Sequence, residues 1–108
     1  MIDSAAPSPI EYLRQFSAES AAAFQALRKA VMASGPLDEH TCELITLGAL
    51  VTCGSESSFK THARRLKRAG VPLPALRQAV LVTFGASTTF EQVSAGLHWI
   101  DAVASEVD

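Results

Sequence analysis

Residues 43–70 read ELITLGALVTCGSESSFKTHARRLKRAG. Two helical segments meet in this stretch at Gly54. Leu44, Ile45, Leu47, Ala49, Leu50 and Val51 make the first segment apolar on nearly every side, which predicts a helix buried from several directions. Asp38 is a candidate N-cap ahead of it, and Gly54 is the residue type that ends a helix. In the second segment Phe59, His62, Ala63 and Leu66 share a helical face, so an inward face carries a histidine. Ser55 is placed to cap this helix and Gly70 to stop it. The expectation is an antiparallel helical hairpin over 38–53 and 55–69.

Outward from the hairpin the pattern stays helical. Upstream, a first helix is expected from Ile10 to Ala33, open to interruption near Ser17, with Phe16, Phe24, Leu27 and Val31 among its apolar residues. Ser34-Gly35-Pro36 stops it. Residues 1–9, with Pro7 and Pro9 as breakers, read as a flexible N-terminal arm. Downstream, Pro72 and Pro74 punctuate a turn. A fourth helix carrying Leu76, Val80, Leu81 and Phe84 follows and closes at Gly85. Thr88 and Glu91 have capping-box spacing ahead of a fifth helix, whose inward stripe is Val93, Leu97, Ile100 and Ala104. No alternating strand pattern, internal repeat or linker interrupts this order. The fold class is all-α: about five helices in a single domain over 10–108.

Composition narrows the function classes. The formal net charge is −2 and the pI about 5.9, which gives no basis for a general nucleic-acid or membrane partner. No apolar run of ~18 residues is present, and residues 1–9 lack the basic start and apolar stretch of a signal peptide, so a cytoplasmic location is expected. Hydrophobic residues make up 48% of the 108-residue chain. A small domain has little interior in which to hide them, so part of the apolar surface is expected in a subunit interface. The two cysteines, Cys42 and Cys53, would lie ~16 Å apart on one helix, too far to bridge within it. With no histidine beside them they make no zinc site, and no metal site is expected.

The hairpin resembles the core of the carboxymuconolactone decarboxylase / alkylhydroperoxidase D (AhpD) family. In the AhpD branch a Glu is followed after eleven residues by a Cys, then a second Cys in a Cys-x-x-Cys pair, and, after three further residues, a His. Here Glu43 matches the Glu and His62 the His, while the cysteine positions fall on Ser55 and Ser58. Ala63, Ala69 and Gly70 fit the register that follows, and the resemblance spans roughly residues 37–105. It implies an AhpD-like helical bundle, a homo-trimer or homo-hexamer, and no cofactor.

The substitutions change the chemistry. Thiols near a helix N-terminus are driven toward thiolate, the nucleophile of peroxide reduction. A serine hydroxyl neither ionises near neutral pH nor forms a disulfide. Peroxidase chemistry by the paired-thiol route is therefore not expected. What the resemblance leaves is acid–base work of the decarboxylase type, a lyase acting on a small carboxylate or lactone. His62 would shuttle the proton with Glu43 as its partner, and Ser55 or Ser58 would hydrogen-bond the substrate.

Lys60, Arg64, Arg65, Lys67 and Arg68 crowd the second helix of the hairpin. A solvated outer face is the plain reading. Attraction of an anionic substrate by Arg64 and Arg65 is the functional one. Cys53 is read as a small buried residue ending its helix, with substrate contact as a further role. Two alternatives stand beside the lyase: a non-catalytic ligand-binding or structural oligomer that kept the fold, and weak single-cysteine alkylhydroperoxidase (peroxiredoxin-type) activity through Cys53. The lyase reading carries a geometric expectation. Glu43 and His62 stand at nearly the same height from the Gly54 turn, within ~4–5 Å, and should pair directly or through one water.

Overall fold

The computed structural model describes residues 7–107. It contains six α-helices, and no strand is present among the described residues, where the one β-type pairing is an isolated bridge between Phe84 and Thr88. Residues 1–6 of the expected arm lie outside the described residues, and Pro9 is already helical. The chain divides after Pro36 into two compact units.

The first unit holds α1 (Pro9–Phe16) and α2 (Ala18–Met32). They replace the single helix expected over 10–33. Ser17 makes the break: its backbone is extended, its N–H closes α1 on the Leu13 carbonyl, and its side chain accepts from the Ser20 N–H to open α2. A serine that caps on one side and terminates on the other satisfies backbone groups that a continuous helix would have paired internally. Ser8 and Glu11 form a capping box at the start of α1, and Tyr12 and Phe16 meet edge to face at 5.0 Å.

The second unit holds α3 (Glu39–Cys53), α4 (Glu56–Arg68), α5 (Leu73–Leu81) and α6 (Phe90–Ala104). The α3–α4 hairpin is the expected one. Asp38 caps α3 through the Thr41 N–H at 2.8 Å. Gly54, at φ 72°, turns the chain into the left-handed region while its N–H reaches the Val51 carbonyl and that of Ser55 reaches Leu50. That is a Schellman closure, and the missing Cβ makes it accessible without strain. Ser55 stands at the N-cap of α4, but its side chain makes no capping hydrogen bond, so the expected cap is not formed.

The core lies where α3, α4, α5 and α6 converge. Leu47, Val51, Phe59, Leu66, Leu76 and Ile100 are its largest buried members. Phe59 meets Trp99 edge to face at 5.3 Å. The burial of α3 is partial, because Ile45 and Ala49 remain exposed. Helix α5 ends at Leu81 and does not run on to Gly85. Thr83 competes for the backbone, its hydroxyl bonding the Val80 carbonyl at 2.6 Å and the Thr88 hydroxyl at 3.0 Å. Leu81 and Phe84 consequently stay exposed. The capping box of α6 sits one residue later than expected, on Thr89 and Gln92.

The buried stripe of α6 is also turned, to Val93, Gly96, Ile100 and Val103, with Leu97 and Ala104 only half-buried. Gly96 explains the turn. A Cβ there would lie 2.6 Å from Val51 Cγ2 and 3.2 Å from Val80 Cγ1, so the bare glycine lets α6 close on α3 and α5. Alanine favours a helix over glycine by about 1 kcal/mol, but overpacking a buried contact costs about 1–3 kcal/mol. Val51 is wholly buried and has no solvent to move into. Gly96→Ala is therefore expected to destabilise by about 1 kcal/mol, read as a lower urea midpoint. A midpoint equal to wild type or higher would mean that α6 backs away at no cost.

Candidate functional site

Glu43 stands in the first turns of α3 and points at α4, with only 6% of its side chain exposed. A carboxylate that deep needs partners, and it has two. His62 Nδ1 lies 2.6 Å from Oε1, and Arg65 Nη1 donates to Oε2 at 3.0 Å. The expected pairing of Glu43 with His62 is therefore direct. Burial pushes the Glu43 carboxyl up. The hydrogen bonds from His62 and Arg65, with their charges, outweigh it and hold the group below its ordinary 4.5.

Nδ1 of His62 also lies 3.4 Å from Arg65 Nη1. One ring nitrogen cannot both donate to Glu43 and accept from Arg65. The 2.6 Å contact to a carboxylate decides the matter: Nδ1 carries the proton and the arginine contact is packing. In the neutral ring the lone pair then sits on Nε2. The imidazole is 18% exposed and is held by the carboxylate through Nδ1.

At about 100° per residue, Ser58 and Arg65 lie within about 60° of His62 around α4, and Ser55 continues the same line beyond the helix start. Both serines are half-buried. Among the described residues no hydrogen bond ties either hydroxyl to His62. Glu43, His62, Ser58, Ser55 and Arg65 thus fall along one seam of the hairpin.

Two other expected residues lie elsewhere. Arg64 faces away from the seam and forms a bidentate pair with Glu106, at 2.7 and 2.9 Å. That hydrogen bond, less a small desolvation, raises the Arg64 pKa, and Arg64 in turn lowers that of Glu106. Lys67 bonds the carbonyls of Val103 and Glu106. Part of the basic run thus fastens α4 to the end of α6. Cys53 is exposed at the end of α3, not buried as expected, and both cysteines are free thiols.

An open, largely apolar groove of roughly 640 Å³ runs between α3 and α5, lined by Leu44, Ile45, Gly48, Val82 and Thr83, with Cys53 at one end. Gly48 and Thr52 sit about 140° and 180° round α3 from Glu43. The groove and the charged seam are on opposite faces of one helix. The bond between Arg65 and Glu43 escaped the sequence reading, although Arg65 stands three residues after His62 and shares its face. The Arg64–Glu106 pair spans 42 positions and has no local signal.

A search of the curated proteins and of the solved structures finds no match to the chain. The profile of the carboxymuconolactone decarboxylase family matches residues 18–102. This takes in α2 as well as the hairpin, α5 and nearly all of α6, and so reaches further toward the N-terminus than the resemblance read from residues 37–105. With a match over most of its length, the chain belongs to the carboxymuconolactone decarboxylase family.

Proposed function

We propose that the protein is a cofactor-free acid–base enzyme of the lyase type, acting on a small carboxylate or lactone. The observation that carries this reading is the 2.6 Å contact between Glu43 Oε1 and His62 Nδ1. A buried carboxylate that fixes one imidazole nitrogen leaves the other as a positioned proton donor or acceptor. In decarboxylation the bond from carbon to the departing carboxylate breaks and carbon dioxide leaves. The electron pair moves into the conjugated lactone, and protonated His62 delivers a proton from Nε2 to the carbon that receives it. The ring then takes a replacement proton from solvent. Glu43 holds the ring throughout, and Ser58 and Ser55 offer hydroxyls along the seam. This chemistry needs proton transfer alone. Exposed Ile45, Val82, Phe84 and Phe90 support self-association, and the family resemblance favours a homo-trimer or homo-hexamer.

Purified protein should decarboxylate a carboxylated unsaturated lactone, followed by loss of its ultraviolet absorbance. His62→Gln should lower the rate by about a hundredfold or more with unchanged far-ultraviolet circular dichroism. A panel of such lactones on which wild type and His62→Gln are indistinguishable would overturn the reading.

Thiol-dependent peroxide turnover is expected at no more than the level of an ordinary exposed thiol, because the positions next to His62 carry hydroxyls. Robust turnover that Cys53→Ser abolishes would point instead to single-cysteine chemistry.

A further inference from the structure

Helix α2 carries an apolar stripe that lies open to solvent. Phe24, Leu27 and Val31 are 49%, 57% and 44% exposed. They recur at i, i+3 and i+7, and at about 100° per residue they fall within about 60° of one another around the helix. The neighbouring α1 adds Tyr12 and Phe16, both more than half exposed. Among the described residues of this unit only Ala21 is buried.

The groove between α3 and α5 has the complementary character. Leu44, Ile45 and Val82 form its walls, and the small Gly48, Ala49 and Ala79 leave room between them. No charged side chain is among the described residues that line it. From Thr41 to Cys53 it follows α3 for ~18 Å, against ~10 Å from Phe24 to Val31 along α2. An uncharged groove of this length suits an amphipathic helix that presents anchors at i, i+3 and i+7.

We propose that the α3–α5 groove of each copy receives the Phe24, Leu27 and Val31 stripe of a second copy. The chain carries one groove and one matching stripe, and the residues of both stay exposed in the single chain. Area favours the same occupant. The exposed parts of Tyr12, Leu13, Phe16, Phe24, Leu27 and Val31 come to roughly 600 Å², close to the ~800 Å² that each partner gives to a stable interface. Stripe and groove are unlike surfaces, so the contact runs head to tail, and such contacts can close into a ring. In a closed ring every groove is filled and every stripe covered. This inference rests on the self-association reading above. It is independent of the acid–base chemistry, which lies on the opposite face of α3.

The test is sedimentation velocity on the full chain at micromolar concentration, where wild type should sediment as an assembly. Leu27→Lys charges the stripe and Ile45→Glu charges the groove. Both positions are more than half exposed, so the fold should survive with an unchanged urea midpoint. Each variant should raise the concentration of half-assembly about tenfold or more, because docking would bury an unpaired charge. Val82→Glu, at another exposed wall position, should repeat the effect of Ile45→Glu. Val107→Lys lies outside both groove and stripe and should assemble as wild type does. Mixing is the decisive arm. Leu27→Lys retains an intact groove and Ile45→Glu an intact stripe, so together they should form a 1:1 complex at concentrations where neither associates alone.

Wild type that sediments as an 11.4 kDa monomer would remove both this inference and self-association. A monomer whose groove binds an apolar dye, with binding lost in Ile45→Glu, would give the groove to a small molecule and equally overturn the proposal. An assembly that Leu27→Lys and Ile45→Glu leave unchanged would overturn the inference while self-association stands. So would monomeric variants whose mixture stays monomeric.

Discussion

Replacing Phe59 with alanine is expected to remove about 3–5 kcal/mol of folding stability, the usual cost of truncating a fully buried aromatic. Phe59 is wholly buried on α4 and meets Trp99 of α6 edge to face. Its loss removes apolar area, leaves a cavity and breaks an aromatic pair that adds about 0.5–1.5 kcal/mol beyond its area. A small domain commonly has only about 5–15 kcal/mol in hand, so the variant should sit near its unfolding threshold at room temperature. Urea unfolding followed by far-ultraviolet circular dichroism should show a much lower midpoint with a similar slope. A loss below about 1.5 kcal/mol would be too small for a core cavity and would mean that Trp99 and its neighbours close the space.

The second large effect is expected at Glu43, where Glu43→Ala should cost about 2–4 kcal/mol. Removing one member of a buried charged pair typically costs about 3–5 kcal/mol. The lower range applies because Arg65, more than half exposed, regains water once its partner is gone. Replacement by glutamine retains shape and one acceptor, and should cost less.

The pH dependence follows from the direction of the Glu43 shift. Its folded carboxyl lies below the ordinary value of 4.5 because the His62 and Arg65 bonds outweigh burial. The unfolded chain therefore binds the proton more readily. The contribution is fully present well above 4.5 and is lost as pH falls through the lower folded value. Wild type should lose this stability as pH falls from about 4.5 to that lower value, and Glu43→Gln should lose less over the same range. Glu106, lowered by Arg64, adds a smaller slope of the same sign that salt should screen. Parallel acid titration curves for wild type and Glu43→Gln would show that the bonds to Glu43 do not favour its ionised form.

The hairpin was legible because its signals are local. Asp38 caps, Gly54 turns, Gly70 stops, and the apolar spacing of α4 repeats every three to four residues. Glu43 and His62 could be placed opposite each other by counting residues from the turn, since each helix rises by a constant step. The break at Ser17 was half legible, because a serine can either sit on a helix surface or cap a new one, and the choice depends on the backbone around it. The early end of α5 was not. It depends on Thr83 meeting Thr88 across a loop, and nothing in the apolar pattern through Phe84 announces that contact.

By itself, then, the sequence determined the all-helical class, the hairpin, the family resemblance and the pairing of Glu43 with His62, all from spacing along one or two adjacent helices. Only the tertiary structure decided how the charges are spent. Arg64 and Arg65 are neighbours with the same side chain, yet a helix turns about 100° per residue and sends them to different faces, one to Glu106 at the far end of the chain and the other to Glu43. Gly96 likewise reads in sequence as a weak point in a helix. Its close approach to Val51 and Val80 comes from helices distant in sequence, and it is that crossing which sets the buried face of α6.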